Sequence, residues 1–122
     1  DISKTMVYKL SKYRNSISEV IPERVISRPP SAELAPNQVD QDLLPSYDVL
    51  DDILMRFVEF KQSANEIIES GHCLEDVDKI TSLILRNEYK RRQSAPGPKI
   101  SSNAFGKERR YPMTSKFKPL VY

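Results

Sequence analysis

Met6, Leu10 and Tyr13 stand at i, i+4 and i+7 with Val7 beside them, the spacing of one amphipathic helical face. Ser3 is placed to cap this helix, and Asn15 and Ser16 are expected to break it after about Tyr13. Ile17, Val20, Ile21, Val25 and Ile26 follow as a short apolar segment interrupted by Pro22, read as a one-turn helix or a short extended piece. A second long block begins at Ser46, an N-cap with Asp48 in its first turn; Tyr47, Leu50, Leu54, Phe57 and Val58 line one side of it to about Phe60. Ser63 and Glu66 have capping-box spacing ahead of Ile67 and Ile68, and Gly71 ends that short helix. Glu75 and Asp76 complement the start of a stronger helix in which Val77, Ile80, Leu83, Ile84 and Asn87 keep period to about Arg92. The three helices between Ser46 and Arg92 predict a small bundle with inward apolar stripes.

The connections are as distinctive as the helices. In Ser27-Arg28-Pro29-Pro30-Ser31-Ala32-Glu33-Leu34 the paired prolines fix φ near about −65° and push Arg28 into an extended conformation, so this is a stiff loop. Ala35 to Asp42 has neither periodicity nor bulk and reads as loop, a candidate for disorder or ligand-dependent order. From Ser94 onward Pro96, Gly97 and Pro98 prevent regular structure. Ser101 or Ser102 is placed to cap a turn holding Ala104 and Phe105, and the remainder is expected to be an extended tail that lies on something else or stays mobile. The expected organisation is residues 1–45 with the Pro-Pro-Ser loop, a helical subdomain over 46–93, and a basic tail over 94–122.

Composition sharpens this picture in a few places. The 122 residues suffice for about one small domain, and three glycines against nine prolines favour stiff connectors over tight β-turns. No apolar run approaches the roughly 20 residues that span a bilayer. Asp1-Ile2-Ser3-Lys4 has neither an initiator methionine nor a signal-peptide apolar region, so the chain is expected to begin within a longer protein. One cysteine, Cys73, and one histidine, His72, cannot supply a disulfide framework or a usual zinc site, and fit a reducing, cytoplasmic setting. The net charge of +2 hides an asymmetry: ten Lys or Arg against two Glu from Arg86 onward give +8 there and leave −6 on the first 85 residues. Such a basic end suits a polyanion, an acidic surface or the chain's own front half.

The chemistry on offer is anion binding. No nucleophile with its base, glycine-rich phosphate cradle or metal cluster is present. Cationic and polar groups occur instead at Lys4, at Arg28 with Ser31, and in Asn87-Glu88-Tyr89-Lys90-Arg91-Arg92-Gln93. Lys4 sits in a first helical turn, where a cation opposes the dipole; it reads as a phosphate contact or as an ordinary solvated lysine. Ser31, held by the prolines beside Arg28 and Glu33, reads as a phosphate-facing hydroxyl or as part of a plain connector. Lys90, Arg91 and Arg92 either neutralise phosphates while Tyr89 stacks on a ring, or simply complement a helix end. Asp51 and Asp52 are read as a solvated helix face in preference to a metal pair.

With these stretches assembled, the chain resembles the C-terminal end of the bacterial glutamine-dependent NAD+ synthases. The likeness is carried by Asp1 to Tyr8, by Ile21-Pro22-Glu23-Arg24 through Leu34, by Gln41 to Asp51, by Arg86 to Gln93 and by Ala104-Phe105-Gly106 through Pro112. It implies the helical end of an α/β, adenine-nucleotide α-hydrolase-like (Rossmann-like) domain, so that this part is mostly α. It also implies a ligase that activates deamido-NAD+ with ATP and Mg2+ as an adenylate, which ammonia from glutamine then resolves. By the resemblance Lys4 and Ser31 contact ATP phosphates, Tyr89 and Lys90 contact deamido-NAD+, and Asp40 lies near the substrate. The phosphate loop, metal carboxylates and glutaminase residues of that family are absent, so this stretch alone is expected to be inactive and to work within a homodimer or larger homo-oligomer. Cys73 departs from the Asp cap usual in such sequences. A rival reading is a stand-alone helical interaction module whose basic tail docks an acidic surface or nucleic acid. No recognised nucleic-acid module is present, and +2 is small for a dedicated binder.

Overall fold

A computed structural model describes residues 2–106 and 108–118; Asp1, Lys107 and residues 119–122, which the expected tail includes, lie outside the described residues. Helix α1 spans Lys4–Ile17, α2 Glu23–Ser27, α3 Tyr47–Leu54, α4 Ala64–Glu69, α5 Leu74–Arg86 and α6 Glu88–Arg92. A single 3₁₀ turn, Asp40–Asp42, precedes α3, and a widened π turn, Met55–Glu59, extends it. Among the described residues there is no strand, and no helix is long and apolar enough to cross a membrane.

The core lies where the bundle is predicted. Ile53, Phe57 and Val58 pack with Ala64 and Ile67 of α4 and with Val77, Ile80 and Ile84 of α5, while Leu50, Leu54, Phe105 and Tyr111 cover its margin. Phe57 and Val58 are adjacent in sequence yet both buried, which the π turn accommodates; Phe60 donates its amide to the Met55 carbonyl five residues back at 3.1 Å. Thr81 is also buried, and its hydroxyl donates to the Val77 carbonyl at 2.7 Å, so no polar group is stranded there. The Ser63 and Glu66 capping box forms in both directions, at 3.3 and 2.7 Å, and Gly71 takes φ +108° to end α4.

Several expectations are corrected. Asn15 does not break α1: it stays helical because its side-chain amide stitches the following turn, donating to the Ile21 carbonyl at 2.7 Å and accepting from the Val20 and Ile21 amides. The helix expected to reach Arg92 is two helices, interrupted at Asn87, whose own side chain donates back to the Leu83 carbonyl at 2.9 Å. Asp51 and Asp52 do not form a solvated face. Asp51 accepts the Thr5 amide of α1 at 2.7 Å, and Asp52 holds Arg56 at 2.8 Å and His72 at 2.7 Å, which ties the α4–α5 turn to α3. The Arg56 hydrogen bond, chiefly, holds the Asp52 carboxyl below the usual aspartate range against the opposing effect of burial.

The tail takes one of the two courses expected of it and lies on another part of the chain. Residues 103–106 and 108–111 fold back on the bundle: Ala104 is buried, and the Tyr111 ring stacks on Phe57 with centroids 5.9 Å apart. Arg91 donates to the Phe105 and Arg109 carbonyls at 2.9 and 2.8 Å, and Arg92 to the Tyr111 carbonyl at 3.0 Å. Both guanidiniums also bind Glu88, which is 1% exposed. Burial pushes the Glu88 carboxyl up, but the bonds from Arg91 and Arg92 outweigh it and leave it below its ordinary range. Two of the three cations expected to face phosphates are therefore engaged inside the fold.

Removing one partner of a buried ion pair leaves the others uncompensated, at about 3 kcal/mol. Glu88→Gln is expected to speed amide exchange over residues 104–111 roughly a hundredfold relative to α5, read by hydrogen-exchange mass spectrometry. The folded-state value of Glu88 lies below its unfolded value of 4.5, so its stabilisation is complete above that pH and fades as pH falls further. Lowering the pH from 6 to 3.5 is thus expected to loosen the same segment in the unsubstituted protein.

Candidate functional site

A cleft of about 570 Å³ opens between α1, α2 and the loop that follows α2, and Lys4, Tyr8, Arg28, Ser31, Glu33 and Asp40 stand on its wall. Lys4 reaches it because Ser3 caps α1, accepting the Met6 amide at 3.3 Å, and because Asp51 holds the first turn of α1 against α3. The Lys4 ammonium lies 5.6 Å from the Tyr8 ring centre and 6.0 Å from that of Tyr47, cation–π distances that steady it without neutralising it.

The opposite wall is a loop that closes on itself. The Asp40 amide donates to the Pro30 carbonyl at 2.9 Å, so the two ends of the 30–40 segment are joined. Within it the Ser31 hydroxyl accepts the Glu33 amide at 3.0 Å, Gln38 accepts the Leu34 amide at 3.1 Å, and Arg28 pairs with Glu33 at 2.6 Å. Glu33 and Asn37 adopt φ of +53° and +59°, left-handed conformations that turn the chain sharply without glycine. The segment read as a candidate for disorder is thus a closed turn ending in a 3₁₀ turn at Asp40–Asp42.

Asp40 is held from below. The Tyr47 hydroxyl donates to its carboxylate at 2.5 Å. Burial, then the Asp40 hydrogen bond and charge, push the Tyr47 phenol up to about 12, so it remains a donor throughout the neutral range. Three of the five residues singled out by sequence, Lys4, Ser31 and Asp40, therefore share one cleft. Tyr89 and Lys90 do not line it: they lie on the solvent side of α6, both exposed, with the Lys90 ammonium 5.9 Å from the Tyr89 ring centre. Among the described residues no three His, Cys, Asp or Glu side chains gather so as to hold a metal ion. Sequence reasoning missed Tyr47, which helical periodicity assigned to the core; a hydroxyl at the first turn of a helix, seven residues after an acid, was the available signal.

Residues 1–94 match the family model described as NAD synthase. The chain belongs to the NAD synthase family. Glutamine-dependent NAD(+) synthetase of Acinetobacter baylyi is 58% identical over 121 residues, covering 98% of this chain and 22% of that protein, and so takes in the tail beyond the family model. The Aquifex aeolicus relative of the same name is 57% identical over 117 residues, covering 96% of this chain and 21% of its own length. A solved structure of glutamine-dependent NAD+ synthetase from Acinetobacter baumannii in complex with ADP is 50% identical, covers 93% of this chain and 19% of that one, and superposes with a TM-score of 0.56. The chain spans about a fifth of the length of these NAD synthase relatives.

Alkaline titration followed by tyrosinate absorbance is expected to contain a component near pH 12 that disappears in Tyr47→Phe. An unchanged titration curve in that variant would show that Tyr47 does not own the component.

Proposed function

We propose that this chain is the C-terminal part of a glutamine-dependent NAD+ synthetase, a cytoplasmic ligase that amidates deamido-NAD+ with ATP and glutamine-derived ammonia. The observation that carries the reading is the convergence of Lys4, Ser31 and Asp40 on one cleft in a chain of this family. In the reaction the deamido-NAD+ carboxylate attacks the α-phosphorus of ATP, the bond to pyrophosphate breaks, and ammonia then displaces AMP from the acyl carbon. The demand on the protein is charge stabilisation rather than a protein nucleophile. Lys4, which has no carboxylate ion pair among the described residues, and the Ser31 hydroxyl suit the polyphosphate; Asp40 lies beside them, near the substrate.

Among the described residues no donor set fits Mg2+. Metal-binding carboxylates, phosphate loop and glutaminase belong to the remainder of the protein, in which residues 1–45 end the Rossmann-like ATP-pyrophosphatase domain and 46–93 form its helical subdomain. Residues 94–122 form its basic tail, of which 103–106 and 108–111 serve as a clasp on that subdomain. Tyr89 and Lys90, turned outward on α6, contact deamido-NAD+ in a site completed by other polypeptide, in a homodimer or larger homo-oligomer. The rival reading, a basic tail docking nucleic acid or an acidic surface, draws less support because Arg91, Arg92 and Lys99 have carboxylate partners within the fold.

In the full-length protein Lys4→Ala is expected to raise KM for ATP by about ten- to a hundredfold, the range of one charge-assisted contact, and Ser31→Ala by about fivefold. Lys90→Ala is expected to raise KM for deamido-NAD+ by a factor similar to that for Lys4, with ATP affinity unaltered. Steady-state kinetics of ATP-dependent amidation decide this, and wild-type constants in all three variants would refute the assignment.

A further inference from the structure

The hydrogen bonds of the 30–40 loop are largely its own. Its internal hydrogen bonds, Ser31 to Glu33, Leu34 to Gln38 and the Asp40 amide to Pro30, all return to the loop itself. Among the described residues, the Tyr47 hydroxyl on Asp40 is the single side-chain hydrogen bond that joins the loop to a helix of the bundle. The same Tyr47 ring lies 6.0 Å from the Lys4 ammonium, and one helical turn further along α3, at i+4, Asp51 accepts the Thr5 amide. One face of α3 therefore meets both walls of the cleft.

We infer that Tyr47 is a positioning residue: its hydroxyl holds the loop through Asp40, its ring supports Lys4, and together they set the separation between Lys4 and Ser31. The inference rests on the ATP reading of the cleft. Tyr47 touches no phosphate. It acts by keeping the serine-bearing wall at a fixed distance from the lysine-bearing wall, and a displacement of about 1 Å is enough to weaken a phosphate contact. The hydroxyl serves here because an O–H donor to a carboxylate is short and directional, and because a charged partner makes the bond stronger than a neutral one.

The test uses the full-length protein. Tyr47→Phe keeps the ring under Lys4 and removes only the bond to Asp40. It is expected to raise KM for ATP about tenfold with kcat within about twofold of wild type, the pattern of lost uniform binding. Amide exchange over residues 31–40 is expected to accelerate about tenfold, with α5 unchanged. In a Ser31→Ala background the same substitution is expected to add less than about twofold, since the loop then has no hydroxyl to present. Wild-type ATP kinetics and loop exchange in Tyr47→Phe, where Ser31→Ala raises KM for ATP, would overturn the inference and leave the ATP reading standing. No effect of Lys4→Ala and Ser31→Ala would overturn both. Exchange accelerated equally in α5 would make Tyr47 a general stabiliser and overturn the positioning role alone.

Discussion

Among the described residues no residue of α1 is fully buried, and its first turn is tied to α3 by a polar contact. The contact is made by a carboxylate: Asp51 of α3 accepts the Thr5 amide at 2.7 Å, satisfying one of the four amides a helix start leaves open and offering the negative charge that its dipole favours. The lysine next to that amide is consequently placed relative to α3, not merely relative to its own helix. The position of Lys4 relative to the Ser31 wall depends on this contact and on the bonds by which Asn15 ties α1 to the turn before α2.

A second polar device organises the other end. Glu88 is buried between Arg91 and Arg92, whose terminal guanidinium nitrogens also donate to tail carbonyls at Phe105, Arg109 and Tyr111, while Arg91 Nε is buried without a partner. Breaking such a network is costly even where forming it contributes little, since each charge left alone would be desolvated without a partner. Within one short helix, then, three successive cations have different destinations. Two are turned to the fold, and Lys90 alone points out beside Tyr89. The +8 of the C-terminal part overstates the charge available to an anionic ligand.

Helix existence was legible from periodicity and caps: Ser3, Ser63 with Glu66, and Gly71 all act as their residue types suggest. Local side-chain bonds were not. Asn15 and Asn87 have the same low helix propensity, yet one is carried within a helix because its amide bonds the turn beyond it, and the other marks a break. Nor could periodicity separate Ile53, fully buried, from Tyr47, whose hydroxyl meets Asp40 on the cleft wall. Of the candidate site, Lys4, Ser31 and Asp40 were recognisable by resemblance and by charge. The residue that joins two of them, Tyr47, depends on a contact between the loop and α3 that no local pattern encodes. The tail's return onto Phe57 was invisible for the same reason: Tyr111 is apolar enough to pack, but its partner stands far away in sequence.

The left-handed backbone at Glu33 and Asn37 has a consequence for ligand capture. An L-residue held at positive φ lies roughly 1 kcal/mol or more above its relaxed conformation, and neither position is a glycine that would escape this. That penalty is met when the chain folds, before any nucleotide arrives. On the ATP reading proposed for the cleft, the Ser31 wall is shaped in advance, and the entropy of freezing a floppy segment would not be subtracted from affinity.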